Sequence, residues 1–168
     1  MADRKYFAEN IDGIRAKTRK YPGIRTPDDL YEVLSHIWCA ETCATRMRDK
    51  WSKENKTLGQ CSISSFVAQD IFGGKVYGIP LGDGNVHCFN VVGDGRFDLT
   101  VEQFKGKPLD YDDSTEQSRE DHFAKGDKKE RYDLLVRKLN EYLACETPVE
   151  YQKSAAHGKK PGFNPFKR

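Results

Sequence analysis

The chain has 168 residues, enough for one domain with a real core and no need of disulfide staples. A net charge of +2 and a sequence pI of about 8.2 leave no strong field, which argues against dedicated nucleic-acid or membrane-surface binding. No apolar run approaches the ~20 residues of a membrane helix, and the charged start MADRKYFAEN lacks the apolar segment of a signal peptide. A cytoplasmic protein is expected, and with it five free thiols in place of disulfides.

Residues 1–25 are basic and weakly periodic. They read as an N-terminal extension with room for a short helix before the loop KYPGIRTP. The next stretch, TPDDLYEVLSHIWCAETC, carries strong helix-start signals: Thr26 to cap, Pro27 in the first helical position, Asp28 and Asp29 in the first turn. Leu30, Val33, Leu34, Ile37 and Trp38 recur at helical spacing, and the stripe weakens only after Cys43. His36, Cys39 and Cys43 would share one face of such a helix. With no second ligand pair, that spacing fits small buried residues better than zinc.

After the polar loop SKENKTLGQ, a helix is predicted over Ser62–Phe72, closed by Gly73 or Gly74. KVYGIPL, VHCFNVV and RFDLT, separated by GDGN and GDG, predict three antiparallel strands. The stretch DYDDSTEQSREDHFAKGDKKE reads as a polar surface segment with some helix. ERYDLLVRKLNEYLAC is an amphipathic helix. The domain is expected to span 26–146, with 147–168 a basic tail containing Pro and Gly.

Cys61 stands where the second helix begins. Unpaired N–H groups and the positive dipole end of a helix stabilise a thiolate there. His87, on the second predicted strand, is the candidate base. Asp98, on the third, has the chemistry to hold the imidazole. If Asp94 and Gly95 form a tight turn, however, Asp98 falls opposite Val91, four residues and roughly 13 Å from His87. On that register the triad needs a bulge, or Asn90, Asp83 or Asp110 orients the ring instead. Cys88 points to the other face of the strand and is expected in the core.

The ordered set Trp51, Glu54–Asn55, Gly59–Gln60–Cys61, Gln69–Asp70, Gly73–Gly74, His87, Asn90, Asp98–Leu99–Thr100 and Gln103–Phe104 resembles the YunG family of bacterial proteins. A helix like Arg131–Leu139 belongs to the same pattern, and the resemblance covers roughly residues 30 to 145. It implies a cysteine site in the papain-like and transglutaminase-like superfamily, but no particular activity. In papain-like proteases a glutamine several residues before the cysteine assists the oxyanion hole. Here Gln60 is immediately adjacent, leaving the Cys61 N–H as one donor.

The expected fold is therefore α+β, a papain-like or NlpC-like core with N-terminal helices packed on a small antiparallel sheet. The expected chemistry is thiol-dependent acyl transfer by Cys61, His87 and Asp98, with Gln60, Trp51 and Asn90 as substrate or oxyanion contacts. The substrate would be a small-molecule, peptide or protein acyl compound, and no metal or cofactor is called for. The competing expectation is a non-catalytic binding protein on the same scaffold, since its polar 110–130 segment and tail are of the kind that carry contacts.

Overall fold

A computed structural model describes residues 3–146. The first strand, β1 (Phe7–Glu9), lies in the segment where a short helix was expected. Tyr6, Ile11, Ile14, Tyr21 and Ile24 from the same segment are buried in the main core, so residues 3–25 are built into the fold. Arg4 grips the Asp28 carboxylate through two nitrogens, at 2.8 and 3.0 Å, and ties this segment to the first helix.

That helix, α1 (Pro27–Ile37), starts as its sequence dictates. The Thr26 hydroxyl accepts from the Asp29 N–H, while the Asp29 carboxylate accepts from the Thr26 N–H at 2.9 Å. It stops at Ile37, earlier than the apolar stripe suggests. The Thr42 hydroxyl accepts from the Cys39 N–H at 3.1 Å and donates to the Cys39 carbonyl at 3.0 Å, so a local side chain takes groups a longer helix would use. His36, Cys39 and Cys43 thus do not share a helical face. The His36 ring instead meets Glu32 and stacks on Tyr142.

A 3-10 turn at Thr45–Lys50 leads to α2 (Cys61–Phe72). Ile63, Phe66, Val67, Ile71 and Phe72 in α2 are wholly buried. The chain then forms β2 (Lys75–Pro80), β3 (Val86–Val92) and β4 (Gly95–Asp98), and later β5 (Thr115–Glu116). The five strands make one antiparallel sheet in the order β1-β4-β3-β2-β5. Two further helices close the described chain, α3 (Arg119–Phe123) and α4 (Lys128–Glu146).

The molecule is mixed α+β. Helix α2 lies on β2 and β3, and α1 and α4 pack against α2. Leu135, Leu139 and Leu143 of α4 join Leu30 and Leu34 of α1 in that core. The other sheet face is covered by the segment after β4. Phe104 meets His87 edge-on, and Tyr111 stacks on Phe7 and stands across Phe89. No described helix is long and apolar enough to cross a membrane.

The β3–β4 hairpin corrects the expected register. Val92 pairs with Gly95 and Asn90 with Phe97, so the turn residues are Gly93 and Asp94, one earlier than assumed. Gly93 takes the left-handed conformation, with φ of 61°, that such a turn favours. Asp98 then falls one pair beyond Phe97, opposite Phe89. It lies diagonal to His87 on the same face, within the about 7–8 Å that long side chains bridge. No bulge is needed.

Candidate active site

Cys61 is the first residue of α2 and is half-buried. Its N–H has no intrahelical acceptor, and the dipole of the helix favours negative charge on its sulfur. The approach to it is fixed from behind. Gly59 has φ of +67°, and a Cβ there would come within 2.7 Å of the Cys43 sulfur. The indole of Trp38 donates to the Ser64 hydroxyl at 2.9 Å, fastening the end of α1 to the first turn of α2.

His87 lies on β3 with only 1% of its side chain exposed. Its Nε2 donates to Asp98 Oδ2 at 2.6 Å. The same carboxylate accepts from the Tyr111 hydroxyl at 2.9 Å, from the Thr100 N–H at 3.0 Å and from the Thr100 hydroxyl at 3.3 Å. Four donors on a fully buried carboxylate fix its orientation, and through it the tautomer and plane of the imidazole. The edge of Phe104 closes on the His87 ring, with centroids 4.6 Å apart. His87 Nδ1 is buried and finds no hydrogen-bond partner among the described residues, which leaves it as the nitrogen available to Cys61.

The charges follow from these contacts. Burial opposes a charged His87, but the Asp98 carboxylate and the Cys61 sulfur outweigh it and push the imidazole up to about 10. The Cys61 thiol is pulled well below its ordinary value. The neighbouring Cys88 thiol contributes most, the His87 imidazolium adds its charge, and burial works in the opposite direction. Cys88, in the core cluster against which Cys61 packs, is pushed well above its ordinary value by the Cys61 sulfur and by burial. Burial and the neighbouring Asp98 charge likewise keep Tyr111 protonated, as a donor should be. The two shifts run in the same sense, each group favouring the charged form of the other, imidazolium and thiolate.

Beside this pair opens a cleft of about 960 Å³, walled by the Ala44–Met47 turn, the loop before β3, Phe104 and the junction of α3 with α4. The model of the family described as YunG protein matches residues 26–144. The chain belongs to the YunG family. It is 32% identical over 91 residues to a protein of Bacillus subtilis (strain 168) described as uncharacterized protein YunG, covering 54% of this chain and 72% of that one. No solved structure matches. Cys61, His87 and Asp98 all fall within the span matched by the YunG model, as do Thr100 and Tyr111.

The fold does not bring the three remaining expected contacts to the cleft. Gln60, wholly buried, donates its side-chain amide to the Cys39 carbonyl at 2.9 Å, away from the sulfur. The Trp51 indole donates to the Lys56 carbonyl at 3.0 Å and lines a different hollow, with Cys39 and Cys145. Asn90 is on the helix-facing side of β3, opposite to His87, and donates to the Ser65 carbonyl at 2.8 Å. Of the reserves, Asp83 accepts from the Asn85 N–H and Asp110 from the N–H groups of Asp112 and Asp113.

Four residues of the site were missed in the sequence. Thr100, which entered above only through the family pattern, turns its N–H and hydroxyl onto Asp98. Tyr111, His122 and Lys128 sit in stretches whose composition says surface. The one local signal was the pair His122–Phe123, a ring next to a ring in a run of charges; both pack on Phe66.

Proposed function

We propose that this YunG-family protein is a thiol-dependent acyl-transfer enzyme with a papain-like arrangement of Cys61, His87 and Asp98. The observation that carries the proposal is the buried His87–Asp98 pair set beside a helix-start cysteine whose thiol is pulled down. The Cys61 thiolate attacks the carbonyl of an amide or thioester. A sulfur–carbon bond forms and the carbonyl electrons move to oxygen, near the Cys61 N–H. As they return, the bond to the leaving amine or thiol breaks, and that group takes the proton from His87 Nδ1. Water or an acceptor amine, giving its proton to His87, then attacks the acyl-cysteine and releases the thiolate. Asp98 holds the ring and offsets its positive charge throughout. The chemistry needs the free thiol, which suits a reducing cytoplasm.

An activated ester tests this without knowledge of the natural substrate. With p-nitrophenyl acetate, the protein is expected to release one equivalent of p-nitrophenol in a burst and to carry the acetyl group on Cys61, located by peptide mass spectrometry. Cys61→Ala should abolish both. Acetylation spread evenly over the thiols, with no burst, would favour a binding protein on the same scaffold.

A further inference from the structure

The wall of the cleft that faces away from Asp98 holds two groups the acyl-transfer scheme does not use. His122, at the end of α3, lines the cleft with 5% of its surface exposed. Its ring packs against Phe66, with centroids 5.0 Å apart. Its Nε2 is buried and has no hydrogen-bond partner among the described residues. A buried polar atom left unpaired is costly, and a site that binds something is one of the few places where it is kept.

Lys128, the first residue of α4, lines the same cleft. It is half-buried and pairs with no carboxylate among the described residues. The acidic side chains of the cleft are engaged elsewhere or lie in the open. Asp127 binds Arg131 and the Thr45 hydroxyl, Glu116 binds Lys75, Asp83 caps its own loop, and Asp121 is exposed. The groups that favour its charge are the sulfurs of Cys88 and, after it, Cys61. Burial lowers the Lys128 ammonium, and burial together with the Lys128 charge holds His122 down to about 4. At neutral pH the wall thus offers one poorly solvated cation and one neutral imidazole with a ring nitrogen to share.

We infer that His122 and Lys128 form the recognition subsite for a carboxylate carried by the acyl substrate, with Lys128 supplying the charge and His122 a directional hydrogen bond. The inference rests on the acyl-transfer reading for the identity of the substrate's reacting end. It narrows the substrate to an acyl compound with a free carboxylate near the scissile carbonyl. His122, Lys128 and Cys61 all line the one cleft, so a substrate held by the first two lies beside the sulfur.

Two haloacetyl reagents report the subsite. Iodoacetate and iodoacetamide both alkylate a thiolate, which displaces iodide as the sulfur–carbon bond forms. They differ in carrying a carboxylate or an amide. The ratio of their rates at Cys61 cancels any change in the amount of thiolate. Lys128→Gln is expected to lower that ratio about tenfold, the loss of one poorly screened charge. His122→Phe, which keeps a ring on Phe66, should lower it about threefold, the loss of one neutral hydrogen bond. Lys128→Arg should retain most of the preference. In the unaltered chain, glutarate should shift the His122 ring resonances in a saturable way while glutaramide does not.

An unchanged ratio in Lys128→Gln, with no difference between glutarate and glutaramide, overturns the subsite. If Cys61 is no faster than the other thiols with either reagent, the acyl-transfer reading falls on its own. The ring-resonance titration then decides the subsite: a saturable shift with glutarate alone supports it, and no shift overturns it.

Discussion

Asp98→Asn is expected to slow acylation of Cys61 at neutral pH by about a thousandfold, within the range seen when a buried orienting carboxylate is made neutral. The replacement keeps shape and size but removes the charge. Burial is the largest influence on His87 and it opposes the imidazolium. Without the carboxylate only the Cys61 sulfur is left to oppose burial, the ring holds its proton less firmly, and the Cys61 thiolate loses the support of its partner. The amide also brings an N–H₂ group into a pocket that now presents three donor residues, His87, Thr100 and Tyr111. The ring orientation is then no longer enforced. The rate of the p-nitrophenol burst measures the effect. A variant within tenfold of the parent would mean that Asp98 is an ordinary buried acid and that something else sets the base.

Gly74→Ala is expected to cost about 2–5 kcal/mol of stability, from left-handed strain of about 1–2 kcal/mol plus overpacking of about 1–3 kcal/mol. Gly74 has φ of +71°, and a Cβ there would stand 2.2 Å from the Val91 carbonyl oxygen and 2.9 Å from Val92 Cγ2. The obstacle is the backbone of β3, the strand that carries His87, and it cannot rotate out of the way as a side chain would. Gly82 is the control. It has φ of +82° with nothing within 4 Å of an added Cβ, so Gly82→Ala should cost only the strain, about 1–2 kcal/mol. Denaturant midpoints of the two variants give the comparison. Equal losses would show that the close approach at Gly74 relaxes freely.

Local chemistry made much of this protein legible in the sequence. Thr26, Pro27 and Asp29 announce the start of α1, and Gly73 the end of α2, because caps depend on residues a few positions apart. The placement of Cys61 at a helix start and of His87 and Asp98 on successive strands was legible for a similar reason, since each element carries a local signature. What was lost depends on distant partners. Strands β1 and β5 have three and two residues and form only against β4 and β2, so no periodicity marks them. A turn placed one residue late was enough to put Asp98 out of reach, since register decides which residues meet. The Thr42 hydroxyl ends α1 by a contact that the apolar stripe does not encode. Gln60, Trp51 and Asn90 have the polar groups a cleft would want, but backbone carbonyls of Cys39, Lys56 and Ser65 take them. The basic segment 147–168, expected to be a tail, lies outside the described residues.

The central claim is the imidazolium–thiolate pair of His87 and Cys61. Residue-resolved alkylation tests it most directly: limiting iodoacetamide at a series of pH values, all five cysteines followed by peptide mass spectrometry, beside His87→Ala. A Cys61 thiol pulled down stays ionised as pH falls, and a His87 pushed up to about 10 keeps its proton as pH rises. Between those limits the pair does not change its charge. The predicted result is a Cys61 rate that exceeds those of the other four thiols at neutral pH and stays flat from well below the ordinary thiol range up to about 10. In His87→Ala the plateau should give way to a rate that climbs with pH, its midpoint moved up toward the ordinary thiol value of about 8.5 but held below it by Cys88 and the helix start. A Cys61 no faster than the exposed Cys145, or a pH profile unchanged by the loss of His87, would contradict the account.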